Sequence, residues 1–145
     1  MRPSQGPLWS EKTGQHTATV VLTNLLTQPC LLRGYPVLEV LDGRGAKLDF
    51  VYSHGGDQMI TRQARATVRV RAGGSAYFAF NKYRCDLRTL ATARTLRIAL
   101  PGSAAARPLR LTRYPIIDYC GHSGPSGTIA VSPLEPTLPR ASASP

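Results

Sequence analysis

Two runs of alternating residues meet at a glycine pair in the middle of this 145-residue chain. Before the pair, Ala66, Val68 and Val70 alternate with Arg65, Thr67, Arg69 and Arg71; after Gly73-Gly74, the run Ser75 to Phe80 resumes a strand-like pattern. Successive side chains of a strand point to opposite faces, and glycine relieves the backbone where a chain reverses, so the stretch predicts a β-hairpin. One face of its first strand is apolar. The other carries a row of arginines and must be wet, which is the ordinary state of a sheet face turned to solvent.

The same period of two recurs elsewhere. Ala18, Val20 and Leu22 alternate with Thr17, Thr19 and Val21, and Leu96, Ile98 and Leu100 form another such run. The shared parity predicts a core made of Ala18, Val20, Leu22, Val68, Val70, Phe78, Phe80, Leu96, Ile98 and Leu100. Further short strands are expected over 30–41, where Pro36 marks an edge or strand end, and over 47–52, 109–112 and 128–132. The segment 81–90 reads as a charged loop with room for a helical turn. The chain holds 13 glycines and 12 prolines, spread along its length as many short strands with many turns require. The expectation is an all-β fold: an immunoglobulin-like antiparallel β-sandwich of about seven to eight strands, with a small barrel as the alternative.

At this length one domain is expected. Its boundaries fall at 16–136, preceded by a polar lead segment, 1–15, in which Trp9 is the large apolar anchor. A Pro-, Ser- and Ala-rich stretch, 137–145, reads as a flexible tail. No apolar run reaches the length of a membrane span, and Met1-Arg-Pro-Ser lacks the apolar core of a signal peptide. The chain is therefore expected to be cytosolic, or a mature form whose targeting segment has been removed.

The formal net charge is +10, and 15 of the 18 basic residues are arginine, dispersed from Arg2 to Arg140 without a run. Dispersed charge supports at most weak, salt-sensitive, non-specific binding to polyanions; focused recognition of nucleic acid needs a clustered patch or a binding-module motif. The expected binding surface is the arginine-bearing strand, Arg65, Arg69 and Arg71, together with His54, Asp57 and His122 from two loops.

Catalytic signatures are not legible. Gly121-His-Ser-Gly-Pro-Ser-Gly127 approaches a nucleophile elbow, but neither Ser123 nor Ser126 has glycines two positions away on both sides. His16, His54 and His122 stand at no ligand spacing with one another or with Asp57 and Asp118. Eight acidic residues in scattered contexts give no carboxylate pair for glycoside chemistry. No catalytic residue, metal ligand or cofactor is assigned. The six tyrosines could line a ligand platform beside arginines, although tyrosines at strand ends more often close a sandwich core. Cys30, Cys85 and Cys120 leave three arrangements open: one disulfide with a spare thiol, a fourth partner elsewhere, or three buried thiols.

Several segments together resemble a family known as domain of unknown function 4232, found in actinobacterial envelope and secreted proteins. They are Ala18-Thr-Val-Val-Leu-Thr-Asn24, Gln28-Pro-Cys-Leu-Leu-Arg-Gly-Tyr-Pro36, Leu41-Asp-Gly43, Gly73-Gly-Ser-Ala-Tyr-Phe78, Cys85, the run 96–101, Cys120-Gly121 and Val131-Ser-Pro133. The resemblance implies a β-sandwich, exported behind a signal peptide or lipobox and stapled by disulfides. Members commonly carry a further cysteine near the start of the domain, absent here, which is the natural partner for the position of Cys30. That leaves Cys85 and Cys120 for each other. The family brings no catalytic residues. The implied function is non-enzymatic, a secreted or envelope-associated domain that binds an unidentified protein or envelope polymer. The alternatives are a hydrolase using loops 53–63 and 121–127, which requires at least two of His54, Asp57, Asp118, His122 and Ser123 to converge, or a structural component of a larger assembly.

Overall fold

The computed structural model describes residues 1–9, 14–61, 66–86, 88–112 and 117–138, except for the side chains of residues 8 and 9. Among them the chain is all-β. In order the strands are β1 (Arg2–Trp9), β2 (Gln15–Thr23), β3 (Cys30–Leu32), β4 (Val37–Leu41), β5 (Val51–Ser53) and β6 (Val68–Val70). They continue as β7 (Ser75–Tyr83), β8 (Ala91–Thr92), β9 (Thr95–Ala99), β10 (Ala106–Arg110), β11 (Asp118–Tyr119) and β12 (Thr128–Val131), with one 3₁₀ turn at Pro125–Gly127.

A five-stranded sheet in the order β1-β2-β7-β12-β5 forms one layer; facing it are a three-stranded sheet, β10-β9-β4, and the ribbons β3-β6 and β8-β11. The architecture is sandwich-like. The strands are more numerous than the seven or eight expected because two- and three-residue ribbons carry no legible period. One ladder, β12 with β5, is parallel, whereas the others pair antiparallel.

The core matches the alternation closely. Nine of the ten expected residues are buried, and only Leu100 is half-buried, at the rim. Pro36 stands just before β4, which is an edge strand as its missing N–H requires.

The expected hairpin at Gly73-Gly74 does not form. β6 pairs with β3, whereas β7 pairs with β2 and β12, so the turn carries the chain from one layer to the other. Gly74 N–H closes the turn onto Arg71 C=O at 2.8 Å, and Gly73, with φ +73°, accepts a conformation that costs other residues. Asn24 holds the corner. It is fully buried, exchanges backbone hydrogen bonds with Gly73 and Gly74, and donates through Nδ2 to the carbonyls of Gln28, Val70 and Arg71. Its Oδ1 accepts from Leu26 N–H.

Two further expectations are corrected. Residues 2–9, read as a lead segment without a strand, form the edge strand β1, and Gln5 Oε1 ties it to Thr112 N–H at 2.8 Å. β7 runs on through Tyr83, and the described residues of 84–90 contain no helical turn. At the other end Leu134 and Glu135 are buried, and Glu135 exchanges backbone hydrogen bonds with Tyr77, anchoring the chain to that point. Residues 139–145 of the expected tail, like Ala64 and Arg65 of the expected arginine strand, lie outside the described residues.

The threonine face of β2, turned away from the core, is covered as well. Thr17 and Thr19 are as buried as Val20: the irregularity of β1 at Gly6-Pro7 closes over Thr19, and residues 57–60 cross the outer face beside Ala79 and Asn81. Pro7 C=O accepts from Thr19 Oγ1 at 2.7 Å, and a Cβ on Gly6 would collide with that hydroxyl. In the crossing segment Ile60 and Met59 pack on Ala79 and Ala130.

Candidate functional site

The densest group of ionisable side chains gathers where β7, β11 and the start of β2 meet. Alternation along Ala76, Phe78, Phe80 and Lys82 turns the lysine to the core side, and the β2–β7 register sets His16 opposite it. The Lys82 side chain has no exposed surface; its ammonium donates to Asp118 Oδ1 at 2.7 Å. Asp118 Oδ2 accepts the Cys85 N–H at 3.2 Å, and His16 Nε2 lies 3.8 Å from Oδ1. Cys85 is disulfide-bonded to Cys120, which follows β11 directly, with a Cα–Cα distance of 6.1 Å. Cys30 is a half-buried free thiol on β3.

Burial lowers the Lys82 pKa below its ordinary range, and the Asp118 hydrogen bond and charge offset part of that. Burial alone would raise the Asp118 pKa. The Lys82 hydrogen bond and charge, the Cys85 N–H and the His16 charge outweigh it, so the net displacement is downward. The two groups are held to each other by the 2.7 Å contact. A lysine with no exposed surface and a carboxylate whose two oxygens are already bonded serve as an internal strut, closing the end of the core beside the disulfide. A lysine at core parity after Phe78 and Phe80 is the sequence signal for this group, two positions beyond the last expected core residue of that strand.

The residues named for loop chemistry are placed apart. His54 stacks on Tyr35, ring centroids 3.9 Å apart and 6° from parallel. His122 Nδ1 is 3.8 Å from Asp49 Oδ2, with both side chains largely exposed. Asp57 faces inward: Oδ1 accepts from the Met59 and Ile60 N–H groups at 2.7 and 2.9 Å, and Oδ2 accepts from Asn81 Nδ2 at 2.9 Å. Asp118 belongs to the strut, and Ser123 is exposed. No hydrogen bond or ion pair among the described residues joins any two of these five. In the 121–127 loop, a Cβ on Gly127 would collide with the backbone of Gly121 and His122, so glycine there serves close packing of the loop on itself. Among the described residues, no group of three or more His, Cys, Asp or Glu is arranged to hold a metal ion.

Asn81 is the hub of the covered outer face. It accepts from Thr17 Oγ1 at 2.6 Å and donates to Gln15 Oε1 at 2.7 Å as well as to Asp57. Asn81→Ala strands three buried or half-buried partners, and is expected to lower the unfolding free energy by about 2 kcal/mol. Urea unfolding measures that loss, and faster amide exchange at Met59 and Ile60 would locate it in the crossing segment.

The open clefts are lined by arginine. A groove of about 360 Å³ is bounded by Arg69, Arg71, Gly74 and Ser75. A second cleft, of about 550 Å³, is lined by Arg94, Thr95, Pro108 and Arg110 together with the Asp42–Gly45 turn. The Asp42 carboxylate there is committed to its own turn through the Arg44 and Ala46 N–H groups. Arg97, on the outer face of β9, pairs with Glu39 at 3.1 Å. Exposed large apolar residues are distributed over several elements: Leu25, Leu26, Leu31, Val37, Val51 and Leu90. No described helix is long and apolar enough to cross a membrane.

Residues 5–135 match the family described as Domain of unknown function (DUF4232). Neither a curated protein nor a solved structure shows a significant match to the chain.

Proposed function

The chain belongs to the DUF4232 family, and from that premise we propose that it is a non-enzymatic domain of the cell envelope or the secreted fraction of an actinobacterium, which binds an acidic partner through arginine-lined surfaces. The observation that carries this reading is the chemistry of the two open clefts, one flanked by Arg69 and Arg71 and the other by Arg94 and Arg110. Both offer guanidinium groups to an anion. The candidate acid–base residues, by contrast, are each engaged with a separate partner, which favours binding over hydrolysis. The disulfide supports an oxidising compartment, because such bonds persist outside the reducing cytosol.

Shallow clefts and dispersed charge favour weak, electrostatic capture of an acidic envelope polymer or an acidic protein face. The test is retention on immobilised dextran sulfate across a salt gradient. The expected result is retention in low salt that is lost near physiological ionic strength, with earlier elution of Arg69→Ala/Arg71→Ala and Arg94→Ala/Arg110→Ala. Elution unchanged in both double variants would overturn the surface assignment. Sequence-selective nucleic-acid binding that survives physiological salt would overturn the reading as a whole.

A further inference from the structure

A third cavity differs in kind from the arginine clefts. It has a volume of about 140 Å³ and opens between the two layers, lined by Pro3, Leu22, Ile98, Leu100, Ala105 and Arg107 among others. β1 and β10 are the edge strands of their sheets on this side, so the core is reached here through a seam between two edges. Leu22 and Ile98 are among the most buried residues of the core, and they form an apolar floor.

The polar group at this opening is unusual in its register. On β10, Leu109 stands opposite Leu96 and Arg107 opposite Ile98, so the arginine occupies a core-facing position of an edge strand. Its guanidinium makes no hydrogen bond or ion pair among the described residues. Apolar walls ending in an uncommitted cation are complementary to an amphiphile with an anionic head. Apolar cavities near 150 Å³ accommodate a benzene-sized molecule, so the space takes a tail of about six carbons.

We infer that the seam between β1 and β10 binds a short-chain alkyl carboxylate, with its tail on Leu22 and Ile98 and its carboxylate on Arg107. This site goes beyond the polyanion reading and uses none of its four arginines. The competing role for Arg107 is that of an edge guard, since inward-pointing charges on edge strands discourage pairing between molecules.

The test titrates butanoate, pentanoate, hexanoate and octanoate, with hexan-1-ol as the uncharged control, into the whole labelled protein and follows amide chemical shifts. Saturable shifts are expected at Leu22, Ile98 and Ala105. Affinity should rise about fourfold per added methylene up to hexanoate and then level off as the cavity fills. Arg107→Gln should weaken hexanoate about threefold to fivefold and leave hexan-1-ol unchanged, because the pair is exposed to solvent. Ala105→Trp, at an exposed loop position, should block both ligands while amides elsewhere keep their shifts. The absence of saturable shifts, or shifts that persist in Ala105→Trp, overturns the site. Unchanged hexanoate affinity in Arg107→Gln, accompanied by self-association, assigns Arg107 to guarding the edge and overturns the inference.

Discussion

Asp118→Ala is expected to lower the free energy of unfolding by about 3 to 5 kcal/mol, the ordinary cost of leaving one member of a buried ion pair alone. The asymmetry of the pair sets the direction. The Lys82 side chain has no exposed surface, whereas that of Asp118 keeps 17%. Removing the carboxylate leaves an ammonium without compensation in the interior, and the lysine must then lose its proton or draw water inward. Lys82→Met should cost less, because a methionine fills the same channel and the remaining carboxylate reaches solvent and still accepts the Cys85 N–H. The double variant Lys82→Met/Asp118→Asn should recover most of the loss. Urea unfolding of the four proteins measures all three differences. A loss below about 1 kcal/mol in Asp118→Ala would show that the pair behaves like a surface salt bridge.

The pH dependence follows from the directions of the two shifts. Asp118 has a folded pKa below 3.8, so its contribution is complete above that value and fades as pH falls through the folded pKa. Lys82 is displaced downward, so between its folded pKa and 10.5 the unfolded chain binds more protons than the folded one, and stability rises with pH there. Lys82→Met should lack that alkaline rise, and Asp118→Asn should lack the acid loss. Tyr52 contributes with the opposite sign on the alkaline side. Burial chiefly pushes its phenol up to about 12, with the Val40 backbone opposing and the Glu39 charge adding, so stability is lost as pH rises from the ordinary tyrosine value of 10.0 towards 12.

Alternation along a strand reports which way side chains face, and here it was sufficient to identify the core. It does not report which strand lies alongside. At Gly73-Gly74 both flanking runs point their apolar sides to one core, but from opposite layers, and a corner between layers has the same alternation as a hairpin. The residue that decides the matter is Asn24, nearly fifty positions earlier, whose side chain binds the Val70 and Arg71 carbonyls ahead of the corner and whose backbone bonds Gly73 and Gly74. A buried asparagine at a strand end carries no local signature of that role. The covered face of β2 was illegible for a related reason. Alternating threonines suit a wet face or a polar buried one equally, and only the passage of residues 57–60 across Ala79 and Asn81 distinguishes the two. Loop residues were harder still. Asp57 reads as an exposed acid in a glycine-bearing loop, yet its carboxylate is used by its own turn and by Asn81, so the group was visible and its availability was not. For Arg69 and Arg71 the sequence gives the exposed face directly, because a row of like charges at period two has no other low-energy place.

Removing the Cys85–Cys120 bond, as Cys85→Ser/Cys120→Ser or by reduction, is expected to cost about 4 kcal/mol. The bond closes a loop with a sequence separation of 35, and a cross-link of that span restricts the unfolded chain by that amount on the chain-entropy account. The loss is not independent of the strut. Cys85 N–H donates to Asp118, and Ser126 Oγ lies 3.4 Å from Cys120 Sγ, so freeing the sulfurs loosens the backbone that holds the carboxylate. Combining the cysteine pair with Asp118→Ala should therefore cost less than the sum of the separate losses. Cys30→Ser, which touches neither group, should change stability by no more than about 0.5 kcal/mol, the range of a substitution away from such features. In the oxidised protein, thiol titration should count one free cysteine, and peptide mapping should link residues 85 and 120. A link from Cys30 to either of the others would reassign the staple. Three free thiols after purification without reductant would remove it, and with it the support that the disulfide lends to an oxidising compartment.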